Sequence, residues 1–190
     1  MNISINSTVI DKNWAIRLLN HGPTALITSA HANHSNIMAA AWVCALDFNP
    51  AKVTVVIDSK TYTRELIAAE GTFAINLPCV QQIEMVKQVG SISGRDLPGT
   101  DKFAEYGIAT FNAHEISAPL VEGCVGWLEC KIIPEPHNQN TYDLFIAEVV
   151  AAHADERVFS EGRWHFDGQE DLRTIHHIAG GVFFATGQPC

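Results

Sequence analysis

Short β-rich apolar runs alternate with polar, turn-forming breaks along most of the chain, and only a few stretches carry a helical period. TALITSA (24–30) reads as a strand, HANHS (31–35) as a polar turn and 36–44 as a second strand, so 24–44 predicts a hairpin. Asn49-Pro50 breaks the chain, and KVTVVI (52–57) follows as a buried strand. TYTRELIAAE (61–70) reads as a helix closed by Gly71. TFAINL (72–77) is a further strand, and Pro78 and Cys79 lead into a helical stretch ending near Val89. GSISGRDLPGT (90–100) is rich in Gly and Ser and predicts a long functional loop. Beyond it, 123–133, 142–153 and 157–166 read as strands, the last turned by Glu161-Gly162, and the tail HHIAGGVFFATG returns apolar residues to the core. Upstream, DKNWAIRLLN (11–20) suits a short helix stopped by His21-Gly22-Pro23. With no repeats and no linker, the pattern predicts one domain over 1–190, an all-β barrel with a few inserted helices.

Two stretches depart from what a barrel alone requires. In NIMAAAW (36–42), three alanines stand where strands usually carry bulky side chains. Either they face a neighbouring helix, or something large and flat lies against this backbone. In DSKTYTREL (58–66), hydroxyl residues and the cations Lys60 and Arg64 sit where a strand passes into a helix. A helix N-terminus carries a partial positive charge and binds phosphate, and nearby hydroxyls and cations add to it. The plainer role is an N-cap by Thr61 or Thr63. Together, a bare strand and a phosphate-suited corner could hold the flat ring and the phosphate end of one ligand.

Composition narrows the partners. The 190 residues are 47% hydrophobic and 17% charged, enough for a sizeable core. Twelve Lys and Arg against 21 Asp and Glu give a net charge of −9, which argues against nucleic acid, so a phosphate ligand must rely on local groups. No membrane span is expected, since the longest apolar run (37–46) is about half the roughly 20 residues a spanning helix needs. No signal peptide is expected either, because the start of the chain lacks Lys and Arg. The five cysteines form no C-x-x-C pair and read as reduced thiols of a cytoplasmic protein. Dinucleotide-binding G-x-G-x-x-G, P-loop and G-x-S-x-G patterns are missing. His31-x-x-His34 falls in a turn with no third ligand, so no metal site is expected. His176 and His177 should point to opposite faces, one packed and one solvated, and Glu84, Glu105 and Glu115 read as surface residues.

Taken in order, TALITS (24–29), NIMAAAW (36–42), PAKVTVVI (50–57), YTRELI (62–67), FAINL (73–77), SGR (93–95) with DKF (101–103), APLVE (118–122) and LFIAEV (144–149) make the chain similar to a known family. It resembles the flavin reductase-like proteins with the FMN-binding split β-barrel, including the flavoredoxin group, over about 22–187. The resemblance implies a mainly β, Greek-key-like split barrel with a few inserted helices, binding FMN at a homodimer interface. It implies flavin or ribityl contacts for Thr28, Ser29, Ala30, Asn36, Met38, Ala39, Ala40, Ala41 and Trp42. Asp58, Ser59, Lys60 and Thr63 would surround the phosphate, with Ser93, Gly94 and Lys102 closing the site from the loop. Tyr142, followed by Asp143, stands where many of these reductases carry a His, and Ala147 replaces a usual Gly. The function implied is an FMN-dependent oxidoreductase taking electrons from NADH or NADPH, with Asn36 and Tyr142 as polar catalytic candidates. Two alternatives stand beside it: a flavoredoxin-type carrier exchanging electrons with a redox protein, and a ligand-binding barrel without redox work.

Overall fold

The hairpin expected at 24–44 begins as anticipated, with β1 (Ala25–His31) turning at Ala32 and Asn33 into β2 (His34–Ala40) in continuous antiparallel register. The chain then does something the sequence pattern hid. The expected strand 36–44 is two strands, because β3 (Val43–Phe48) lies at the opposite edge of the sheet from β2. β3 pairs with β4 (Ala51–Val56), after which α1 (Tyr62–Glu70) and β5 (Thr72–Leu77) follow as expected. The computed structural model describes residues 17–19 and 21–190, so the helix expected over 11–20 lies almost wholly outside the described residues.

α2 (Ile83–Ser91) runs past the expected end near Val89, so the loose stretch begins as a last helical turn and holds a 3-10 turn at Gly94–Asp96. α3 (Lys102–Glu105) and the short pair β6 (Thr110–Phe111) and β7 (Leu120–Val121) lead to β8 (Gly126–Ile133). α4 (Pro136–Tyr142) was not foreseen, since PHNQNTY has no apolar period; Pro136 suits a first helical position. Tyr142 therefore belongs to a helix end, and β9 (Leu144–Ala154) starts only after Asp143 turns at φ 54°. The stretch 157–166 yields two two-residue strands, β10 (Phe159–Ser160) and β11 (Arg163–Trp164), turned at Glu161-Gly162 as expected. β12 (Ile175–Ala179) and β13 (Val182–Ala185) make the tail a hairpin.

The seven-stranded antiparallel sheet has the order β2-β1-β5-β8-β9-β4-β3. Its two edge strands are consecutive in the chain and joined by Ala41 and Trp42 alone. Such a link reaches only about 10 Å, so the sheet must curl until its edges nearly meet. Ile27, Val55, Ile67, Phe73, Ile75 and Phe145 pack into one buried cluster. On the other face of β1 and β2, Leu26 and Ile37 pack with Val86 and Val89 of α2 and with Ile175 of the tail. Thr61 caps α1 by accepting from Arg64 N, and Gly71 ends it at φ 79°, a left-handed conformation suited to glycine. No helix among the described residues is long and apolar enough to cross a membrane.

Two charged groups tie the periphery down. Arg64 donates to the carbonyls of Ile57 (3.0 Å) and Gln139 (2.7 Å) and to Asp143 (3.2 Å), with its guanidinium 4.4 Å from the Phe145 ring centre. It thus joins α1 to α4 and β9. Glu129 in β8 is fully buried and accepts from the backbone N–H of His114 (3.0 Å) and Glu115 (2.7 Å), with His153 Nε2 at 3.3 Å. Burial alone would push its carboxyl up, but the two N–H groups and His153 outweigh it and hold the carboxyl below its usual range. A carboxyl held low adds stability above the unfolded value of about 4.3 and loses it as pH falls through the folded value. Glu129→Gln should therefore lower the unfolding free energy near neutral pH by about 1–3 kcal/mol. Urea titrations should show that gap narrowing below about pH 4; a gap constant down to about pH 3 would refute the assignment.

Candidate functional site

β2 is an edge strand, so one side of its backbone is not paired within the sheet. Lys102 Nζ donates to Ile37 O (3.0 Å) from outside the sheet, which fixes the open side. In an antiparallel strand, alternate residues turn both backbone groups the same way, so the N–H and C=O of Ala39 face the open edge too. The N-terminus of α1, the last turn of α2 and the loop before α3 close around this edge.

A cavity of about 170 Å³ lies there. Asn36, Met38, Ala39, Lys60, Thr63, Ser93, Gly94 and Lys102, all named from the sequence, line it together. Thr61, Tyr62, Val89, Gly90 and Ile92 complete the wall and were not named as site residues. Among the described residues no carboxylate lines it, although the chain carries a net charge of −9. Asn36 is buried, and its Nδ2 donates to Thr63 Oγ1 at 2.8 Å. Its Oδ1 has no partner. Lys102 is buried as well, and Nζ donates to Ile37 O and to Val89 O (2.6 Å). A lysine has three N–H donors, so one is left. Burial lowers its pKa to about 8, which keeps it mostly charged at neutral pH.

The remaining sequence-named residues fall in different places. Thr28 is buried and committed, donating to Pro119 O (2.7 Å) and accepting from Asn76 (3.2 Å). Ser29 stands opposite Asn36 in register, and its buried hydroxyl has no partner. Ala30 is half-buried on β1, outside the cavities described. Asp58 Oδ1 accepts from Lys60 N (2.8 Å), shaping the corner, and Ser59 is exposed. Of the two cations considered at this corner, Arg64 turns away to Asp143, which leaves Lys60. Ala40 and Ala41 line a neighbouring apolar cavity of about 370 Å³ that shares Ala39 and Gly90 with the first. Trp42 is 52% exposed at the crossing. Tyr142 is 61% exposed at the end of α4, with its ring 5.7 Å from that of His137, and lines none of these cavities. A third cavity, of about 580 Å³, adjoins through Asn36, Tyr62 and Gly94 and adds His34 and Arg95. His31 is engaged by Glu70 at 2.9 Å. The histidine pair takes opposite faces as expected, His176 bonding to His21 O and Gly22 O and His177 facing the apolar cavity, but both are half-buried, not one packed and one solvated.

Comparison with known proteins agrees with this architecture. Residues 18–173 match the sequence profile of the flavin reductase like domain. The uncharacterized protein YddH of Escherichia coli (strain K12) is 46% identical over 182 residues, covering 94% of each chain. An FMN-binding domain of a flavin reductases-like enzyme from Shewanella baltica OS155 superposes with a TM-score of 0.85 and 48% identity, over 96% of this chain and 95% of that one. The flavoredoxin of Desulfovibrio vulgaris (Miyazaki F) shares the fold at a TM-score of 0.77 and 22% identity, over 100% of this chain and 96% of that one. The chain belongs to the flavin reductase-like family, and its curled sheet is the split barrel of these proteins.

The cavity depends on one glycine. A Cβ on Gly94 would collide with Asn36 Oδ1 and come within 3.0 Å of Tyr62 Cδ1, while Asn36 is held by Thr63. Gly94→Ala should cost about 1–3 kcal/mol in chemical denaturation. Gly187→Ala, where a Cβ meets open space, should be neutral. Equal stability of both variants would overturn the close approach.

Proposed function

We propose that this chain is an FMN-binding oxidoreductase whose polar cavity holds the ribityl phosphate and whose alanine edge holds the ring. One observation carries the reading: an acidic chain sets two lysines, a helix N-terminus and no carboxylate around one small cavity. A dianion is the ligand that such a wall favours. Lys60 supplies charge at the start of α1, and the spare N–H of Lys102 supplies it from the other side. Asn36 Oδ1, buried without a partner on the cavity wall, fits a ribityl chain rich in hydroxyls. At about 170 Å³ the polar cavity is smaller than the few hundred Å³ of ordinary cofactor sites. The ring accordingly belongs in the adjoining apolar cavity, where Ala39, Ala40 and Ala41 leave room for a flat molecule against the strand.

FMN, once held, supplies redox chemistry that no side chain here carries. The protein binds, orients and shields. We infer NADH or NADPH as electron donor, with Asn36 at the ribityl end of the site and not on the wall of the proposed ring cavity. A redox-protein donor, as for an electron carrier, is favoured by Tyr142, which points to solvent and leaves the cavities without a side chain from that position. A homodimer fits β3, where residues 44–48 are exposed on both faces and Leu46 and Phe48 are 51% and 99% exposed. A cytoplasmic setting fits five free cysteines; burial pushes the Cys79, Cys124 and Cys130 thiols up, so they stay protonated and packed.

Titrating the purified protein with FMN, followed by flavin fluorescence, tests the reading. Lys60→Ala should weaken binding by roughly tenfold or more, and wild-type protein that ignores FMN would overturn the proposal. Anaerobic NADH or NADPH should bleach the bound flavin quickly. A flavin that only a protein donor reduces would assign the carrier role instead.

A further inference from the structure

Two polar side chains on the wall of the apolar cavity have no hydrogen-bond partner among the described residues. Its walls are Ala39–Ala41 from the β2 edge, Val86 and Gly90 from α2, and Phe183 from β13. Two of the polar side chains on this wall are already engaged: Lys87 pairs with Glu84 at 2.7 Å, and Ser91 Oγ donates to Gln88 O at 2.8 Å. Thr24 and His177 are not. Thr24 is 4% exposed, and its Oγ1 has no hydrogen-bond partner. The ring nitrogens of His177 have no hydrogen-bond partner among the described residues, and its only ring contact is Phe183, 5.2 Å between centroids.

The topology brings these two together from opposite ends of the chain. Thr24 N donates to Ile175 O (2.9 Å), so the start of β1 runs beside β12. Strand side chains alternate, so His177 shares the inward face of buried Ile175, while His176 turns to the other face. Phe183 stands opposite His177 in the hairpin register. The β12–β13 hairpin thus sets an aromatic pair facing the alanines, with the threonine hydroxyl beside it. Buried polar groups in native proteins are almost always paired. A buried, unpaired hydroxyl on the wall of an apolar cavity, beside a half-buried imidazole with no hydrogen bond among the described residues, marks a ligand with flat apolar faces and a hydrogen-bonding edge.

We propose that Thr24 and His177 are the side-chain partners of the flavin ring edge. This rests on the FMN reading, since the cavity shares Ala39 and Gly90 with the phosphate cavity and so continues it. A ring edge of carbonyl oxygens and one N–H suits this pair: a hydroxyl donates and accepts, and a neutral imidazole donates from one nitrogen and accepts at the other. Neither residue belongs to the motifs at 36–42 or 58–66, and each is aimed into the site only by tertiary contacts.

The test titrates FMN into wild-type protein and into Thr24→Val, Thr24→Ser, His177→Phe and His177→Gln. Thr24→Val and His177→Phe should each weaken FMN by about fivefold or more, and shift the visible bands of the bound flavin. Thr24→Ser and His177→Gln should restore most of both. Without FMN, Thr24→Val should melt no lower than wild type, because it removes a buried hydroxyl that has no partner. Wild-type affinity and wild-type bands in Thr24→Val and His177→Phe would overturn this inference alone, provided Lys60→Ala still weakens binding. Absence of FMN binding by wild-type protein would overturn it together with the function it rests on.

Discussion

The two-residue passage from β2 to β3 is the constraint on which the rest of the structure depends. Ala41 and Trp42 must carry the chain from one edge of a seven-stranded sheet to the other. The sheet can satisfy that only by curling, and the curl brings two unpaired edges close without zipping them together. An open edge displays backbone N–H and C=O groups that need partners. Here the partners come from elsewhere: Lys102 caps Ile37 O, and Val56 N donates to Trp42 O where the crossing meets β4. The backbone of Ala39 remains turned to the gap. The bareness of the alanines follows from the same geometry, since side chains larger than methyl would fill the space that the split opens.

Electrostatics then act locally, against the sign of the whole molecule. A net charge of −9 would repel a phosphate at long range. Within the cavity, the nearest acids are diverted. Asp58 accepts from Lys60 N, and Glu65 pairs with Arg95, whose other nitrogen donates to Lys60 O at 2.7 Å. Asp101 caps α3 through Ala104 N and accepts from Ser35 Oγ at 3.0 Å. Asp58 and Asp101 thereby shape backbone, and Glu65 is paired with a guanidinium. Lys102 is the clearest case of the reverse. It is a buried ammonium bonded to two carbonyls and no carboxylate, an arrangement that is costly unless an anion sits within reach.

The sequence revealed what depends on local chemistry. Thr61 as cap, Gly71 as terminator and the β-rich runs around them are short-range signals, and α1 and β5 appear where those signals placed them. The corner proposed for phosphate stood out in the sequence for the same reason, as did the alanine stretch. The crossing was not, because Ala41 and Trp42 carry no Gly or Pro to mark a break, and an alternating run reads the same on one sheet edge or two. α4 escaped because PHNQNTY has no apolar period and is held by Arg64 from another helix. Glu129 sat unremarked inside an apolar strand, since its donors come from a loop at 114–115. Thr24 and His177 carried no signal for this cavity: an unpaired hydroxyl is defined by what fails to surround it.

That last property orders the unpaired groups as a set. Five buried side-chain atoms among the described residues lack hydrogen-bond partners, and three of them, on Thr24, Ser29 and Asn36, belong to the β1–β2 hairpin or the residue just before it. Chance defects of packing would have no reason to gather on one hairpin, least of all the one with an open edge. Each such group costs folding stability. Asn76, two strand positions away, shows the alternative, with its amide donating to Leu26 O and Thr28 Oγ1 and accepting from Val121 N. The adjoining strand β5 therefore holds a satisfied polar group on the side of the core, while the β1–β2 hairpin holds unsatisfied ones. The barrel is complete as a fold where Asn76 sits and incomplete where Asn36 sits, and that difference supports the proposed place of the ligand more than any single residue does.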